Sequence, residues 1–406
     1  MKIFQRLLIA PATLGLLAPL AANANEVNFN EVSNYTDRTE ISTNTFEPLS
    51  TRNPLLAGGE GLGQSNSDDF DADSFSSTTS ATFSADFAVG SVDGVAAEDT
   101  VGMAYGYTID LKTGFTGNDS LDVSLQAGIG DSGPLTELDL AETVGADKLG
   151  VDSITYTKSL GEKATVFFGN GADAGTLFTT ACAYDGVTDT LDDCGNRFSQ
   201  LGFSKGTVFG ASYEVGNGFS GAFGYTGQGN KAAGLATAEG KDALGANIAY
   251  TGNSFGVSIS YADVESPVED GEYGGTDESS SIVEAQTWAL NAYYTPDGGR
   301  LPSISAGVES ASVEVPAFGT SDTDSSHWFI GLQWDEVGPG TLGAAIGTKQ
   351  HYLDHSSQEE QVMYEAYYAY PINDGMTITP LLYVKENSAD NTDDETGVIT
   401  KLSFSF

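Results

Sequence analysis

The sequence predicts an all-β fold: a transmembrane up-and-down antiparallel β-barrel of about 16 strands. Three observations carry this expectation. Segment after segment alternates apolar and polar residues with a period of two, the mark of a strand with one apolar and one wet face. The breaks between segments are alternately short and long, which puts tight turns on one rim and loops on the other. Beyond the first 24 residues no run approaches the roughly 18 consecutive apolar residues that a membrane helix needs.

The elements follow in chain order. Lys2 and Arg6 precede an apolar stretch from Leu7 to Leu20, and Ala22-Asn23-Ala24 supplies the small-x-small pattern of a secretory cleavage site. Residues 1–24 are therefore read as a signal peptide and set aside. Residues 25–74 are polar and acidic, with Asp68, Asp69, Asp71 and Asp73 close together, and are expected to form a flexible periplasmic leader. The barrel is expected to occupy 75–406. Its strands are placed near 75–89, 101–112, 119–130, 150–160, 163–171, 206–214, 217–227 and 242–252. The second eight are 254–264, 283–295, 301–311, 325–335, 340–350, 360–370, 376–386 and 396–406.

Particular strands show the alternation plainly. Leu121, Val123, Leu125 and Ala127 alternate with Asp122, Ser124 and Gln126. Trp288, Leu290, Ala292 and Tyr294 alternate with Thr287, Ala289, Asn291 and Tyr293. Tyr364, Ala366, Tyr368 and Tyr370 alternate with Met363, Glu365, Tyr367 and Ala369. At the end of the chain, Val398, Leu402, Phe404 and Phe406 oppose Ile399, Lys401, Ser403 and Ser405. Short turns are expected at Gly161-Glu162, Gly216, Asn253, Pro296 to Arg300, Glu336 to Pro339 and Pro371 to Gly375. Longer loops are expected at 131–149, 172–205, 228–241, 265–282 and 312–324.

Composition agrees with tightly turned strands bearing aromatic girdles: 50 Gly, 18 Tyr and 21 Phe, against 3 Trp and 4 Met. The formal charge of −41 excludes the basic footprint that a nucleic-acid binder needs. A barrel of this strand number is too wide for side chains to fill, and the polar faces carry small residues that suit an aqueous interior. Asp86, Gln126, Gln333, Glu365, Lys385 and Lys401 are the interior-facing candidates, with Lys385 and also Lys349 facing inward nearer the outer rim. Tyr293, Phe329, Tyr367 and Tyr383 also fall on that face and offer a track of rings on which a sugar could slide.

Loop 172–205 is the longest and holds both cysteines, Cys182 and Cys194, which an oxidising compartment would join as a disulfide. It also carries Asp173, Asp185, Asp189, Asp192 and Asp193, a concentration of negative charge that would favour cations nearby. No catalytic constellation, metal site or cofactor is expected. His327, His351 and His355 are few and scattered, Gly58 to Gly63 lacks the flanking elements of a phosphate loop, and there is no Gly-x-Ser-x-Gly elbow.

From about Ser74 onward the chain resembles the cyanobacterial porins grouped with the carbohydrate-selective OprB family, some of which are described as iron-uptake porins. The resemblance is carried by Asp110 to Asp119 (DLKTGFTGND), Ala243 to Val257 (ALGANIAYTGNSFGV) and Tyr364 to Pro380 (YEAYYAYPINDGMTITP), and by Val27 to Asn34 (VNFNEVSN) near the start. A final strand ending on Phe is likewise similar to the terminal signature of bacterial outer-membrane barrels. One departure stands out: residues 35–73 show neither the S-layer-homology motif nor the heptads that these relatives carry before the barrel. The resemblance implies a non-enzymatic channel in the cell outer membrane, surrounded by outer-membrane lipid and passing small hydrophilic solutes or ions, with a homotrimer as the expected assembly. Porins narrow their bore with an outer loop after the fifth strand, which here is 172–205.

Overall fold

The computed structural model describes residues 78–94, 100–129, 133–138, 140–141, 148–201, 206–227, 234–236, 242–267, 282–298, 301–315, 320–349, 351–352, 360–387 and 393–406. The chain divides into two units, Met1–Asp69 and Phe70–Phe406, and every described residue lies in the second. The expected signal peptide, the whole acidic leader, and most of loop 265–282 lie outside the described residues.

Strands with one apolar and one wet face close on themselves, because an open edge of unpaired N–H and C=O groups cannot sit in hydrocarbon. The observed sheet obeys this. Each strand pairs antiparallel with its sequence neighbours, from Thr79–Asp93 onward to Glu395–Ser405, and the last strand pairs back with the first. At the seam the Phe83 N–H donates to the Phe406 carbonyl at 2.8 Å and the Phe406 N–H returns the bond at 2.9 Å. Their rings stack with centroids 5.7 Å apart. The two-residue piece His351–Tyr352 pairs with Thr320–Val337, the same neighbour as Gly340–Thr348, and so continues that strand. Counted this way, the wall is a closed antiparallel barrel of 16 strands. Among the described residues no helix is long and apolar enough to cross a membrane.

The side-chain alternation sorts the wall into two faces. Ile248, Trp288, Val308, Ile330, Leu382 and Val398 stand exposed on the outside, which in water would be a large unsatisfied apolar surface. A hydrocarbon surround removes that cost, and rings such as Tyr364 and Tyr370 serve as the outer aromatics. The inner face is small or polar: Ser303, Ser305, Gly307, Glu309 and Ala311 succeed one another along a single strand.

One expectation is corrected here. Residues 312–315 and 320–324, expected in a loop over 312–324, are strand: Ser303–Val315 and Thr320–Val337 run on and pair, Ser312 opposite Asp324 and Val313 opposite Thr323. The outward residues there, Ser312, Glu314 and Asp324, are polar, so the apolar alternation stops before the ladder does.

Candidate functional site

Between strands Ala164–Asn170 and Thr207–Gly216, the described residues up to Leu201 lie inside the barrel. Their descent is written in hydrogen bonds from alternate residues, as an extended chain presenting one edge to the wall requires. Thr179 N–H donates to Asn247 Oδ1 at 3.0 Å, Ala181 N–H to Ser258 Oγ at 2.9 Å, Ala183 N–H to Ser305 Oγ at 2.8 Å and Asp185 N–H to Gln333 Oε1 at 2.8 Å. The acceptors come from four different strands, so the small polar inner face works as a set of hooks for loop main chain.

Two wall carboxylates then hold the loop at points where its N–H groups converge. Glu365 accepts from Tyr184 Oη at 2.5 Å, Thr188 N–H at 3.1 Å, Thr188 Oγ1 at 2.8 Å and, at 3.4 Å, Val187 N–H. Glu309 accepts from the N–H groups of Arg197, Phe198 and Ser199 at 2.9, 3.1 and 3.0 Å, and from Ser199 Oγ at 2.7 Å. Both are buried, at 4% and 1% exposure, where an unpaired carboxylate could not stay charged. Four donors to each acceptor-only group supply the pairing that burial demands. Between the two cradles lie the helical turn Asp189–Asp192 and the disulfide Cys182–Cys194, which ties the descending limb to the ascending one across 6.4 Å between Cα atoms.

The wall leaves room for this close approach. A Cβ added at Gly307 would sit 1.9 Å from the Cys194 carbonyl oxygen, which Asn291 Nδ2 also holds at 2.8 Å. Gly307→Ala is therefore expected to leave barrel closure intact while pushing residues 194–196 off the wall. Unchanged heat-modified gel mobility together with faster amide exchange at 194–196 checks it, and unchanged exchange there would refute it.

With the N–H groups and apolar side chains turned to the wall, the loop's water-facing side is acidic. Asp173, Asp185, Asp189 and Asp192 are exposed, whereas Ala174, Tyr184, Leu191, Cys194 and Phe198 are buried against the barrel. Asp193 is partly buried, and its carboxylate accepts from Gly195 N–H at 2.9 Å. Burial, with Asp192 alongside, pushes its pKa well above the usual carboxylate range. As pH falls, Asp193 thus takes up its proton before ordinary carboxylates do, and the cost of burying its charge is relieved.

The other candidates divide into covered and open positions. Gln333 and Glu365 come together beneath the loop tip, where Tyr367 Oη donates to the Asp185 carbonyl. Lys385 is only 14% exposed in its side chain and lies 2.5 Å from Glu137 and 3.1 Å from Glu395. Lys401 sits in register between Ala88 and Thr379, and Asp86 between Ser403 and Gly106, on the face opposite exposed Phe87 and Val89. Gln126 opposes Thr108 two strands from Asp86, and the three remain away from the acidic loop's anchors. Phe329, Tyr367 and Tyr383 are buried at 1%, 4% and 1% exposure, so they form no open aromatic track. His327 is buried on the inner face, and His355 lies outside the described residues. No group of metal-ligating side chains is found among the described residues.

Sequence reasoning overlooked Glu309 and Glu137. The signal for the first was a carboxylate on an inner face between Gly307 and Ala311; for the second, the apolar spacing Leu135, Leu138, Leu140 inside an otherwise polar loop.

No protein-family model and no curated protein matches the chain. Solved structures do match its fold. An anion-selective porin from Comamonas acidovorans superposes with a TM-score of 0.56 at 14% identity, over 81% of this chain and 99% of that one. The high-pH structure of Pseudomonas putida OprB gives 0.57 at 11%, covering 81% and 94%. The trimer form of Vibrio cholerae OmpT gives 0.57 at 11%, covering 81% and 100%. At these identities the likeness is one of fold: the chain is built as those outer-membrane barrels are.

Proposed function

We propose that this chain is an outer-membrane channel for passive diffusion of small hydrophilic solutes, biased toward inorganic cations, and not an enzyme. The observation that carries the reading is the inward loop whose water-facing side is Asp173, Asp185, Asp189 and Asp192 while its apolar side chains are buried. A wide polar barrel crossed by such a loop has its strongest field at its narrowest part, and that field is negative. Of the inward lysines, the one beside the loops is neutralised, whereas Lys401 stands away from them between Ala88 and Thr379. Lys385 is held by two carboxylates, Glu137 at 2.5 Å and Glu395 at 3.1 Å.

The fold itself does not decide the sign of the preferred ion, since one similar structure is anion-selective by its own description. Burial of Phe329, Tyr367 and Tyr383 weighs against a sugar track and for ions, among which iron, raised by the resemblance to iron-uptake porins, is a cation this field would favour. The trimer form of the similar OmpT supports a homotrimer.

The test is single-channel recording of the refolded chain in a planar bilayer under a KCl gradient. Steady openings with a cation-selective reversal potential are expected. The triple variant Asp185→Asn, Asp189→Asn, Asp192→Asn is expected to lower the preference for potassium over chloride several-fold with little change in conductance. Closed bilayers from a demonstrably folded barrel would refute the channel, and a reversal potential unmoved by the triple variant would detach selectivity from the loop.

A further inference from the structure

A second segment of outer loop also lies within the barrel. Leu135, Leu138 and Leu140 are buried in one cluster with Ala88, Val92 and Ala104 of the first two strands and with Tyr383 and Ile399 of the last two. Just beyond, the Ala141 main chain rests directly on the wall, where a Cβ at Gly128 would lie 2.0 Å from its carbonyl oxygen. The placement of this segment turns on Glu137. One carboxylate oxygen meets Lys385 Nζ at 2.5 Å; the other accepts from Thr190 Oγ1, on the helical turn of the acidic loop, at 2.9 Å. Both partners of the ion pair are largely shielded, with side-chain exposures of 14% and 9%.

We propose that Lys385 and Glu137 form a latch: the pair fastens segment 133–141 to the wall and, through Thr190, to the acidic loop, so that the two loops hold the bore as one unit. The part that concerns the bore rests on the channel reading above; the fastening itself does not. Physical chemistry sets an order between the two partners. Without Glu137, Lys385 keeps Glu395 at 3.1 Å and remains paired. Without Lys385, Glu137 and Glu395 are left as two partly shielded carboxylates that shared one cation, a like-charge arrangement relieved by protonation of one of them or by the segment leaving the wall, the second route dominating at neutral pH. Loss of Lys385 therefore releases the segment more than loss of Glu137, although each removes the same ion pair.

The experiment is amide hydrogen exchange of peptides covering 133–141 in the refolded full chain, run beside single-channel recording. In Lys385→Met, exchange is expected to rise by on the order of 100-fold. Glu137→Gln is expected to raise it about 10-fold. Lys385→Arg, which keeps the charge, is expected to match the wild type. Released variants should show larger, noisier openings. Exchange in Lys385→Met equal to wild type overturns the latch. If that variant does not fold, Glu137→Gln decides in its place, with wild-type exchange the overturning result. A wild-type barrel that conducts nothing refutes the channel reading alone, because exchange still decides the fastening. Conducting variants with released segments and unchanged openings overturn the claim that the latch sets the bore.

Discussion

Replacing Glu309 by alanine is expected to strip the ascending limb of the acidic loop from the wall while the barrel stays closed. Three consecutive main-chain N–H groups and one hydroxyl end on this carboxylate, at 1% exposure. Alanine leaves those donors buried and unpaired, at about 1–3 kcal/mol each, so staying in place would cost several kcal/mol. The limb escapes that cost by moving into water. Arg197 then becomes the reporter: trypsin should cut after it rapidly in the variant and slowly in the wild type. Equal resistance in a folded Glu309→Ala barrel would show that the disulfide and Asn291 hold the limb by themselves.

The second large effect is expected from Glu365→Gln, a substitution that is mild almost anywhere else. The four donors from Tyr184, Val187 and Thr188 converge on both carboxylate oxygens. A glutamine presents one acceptor and one N–H₂ group, so one side of the cradle becomes donor against donor. The loop tip should therefore be released nearly as fully as in Glu365→Ala. Conductance and open-channel noise should rise together in both variants, while Glu365→Asp, which keeps an acceptor-only head, should fall between them and the wild type. A Gln variant with quiet, wild-type openings would mean that the charge of this residue is not what anchors the tip.

The wall was legible in the sequence because its rule is local. Val398 to Phe406 announces a strand by alternation alone, and the alternation survives in register from one neighbour to the next. It failed where the local rule lapses: Ser312, Glu314 and Asp324 are outward residues without apolar character, and a paired ladder there looks like a loop. The interior was legible only in part, for a different reason. A carboxylate on an inner face reads the same whether it meets water, as expected of Glu365, or loop main chain 177 residues away in sequence, as at Thr188. Tyr367 and Tyr383 carried the same ambiguity and proved to be loop-covered. The acidic stretch could be recognised in advance; which of its members lies partly buried, Asp193, depends on a fold that composition does not encode.

The wall grips the acidic loop chiefly by its main chain. Asn247, Ser258, Ser305, Gln333, Glu365 and Glu309 each take backbone N–H groups, which nearly every amino acid supplies identically. Anchorage and chemical character are thereby separated on one short stretch of chain. The grips that hold Asp185 and its neighbours close on main-chain N–H groups, so substitution of the exposed Asp185 side chain leaves that fastening in place. On the channel reading proposed above, the architecture would be an evolvable filter: a fixed frame accepting interchangeable linings at a few exposed positions.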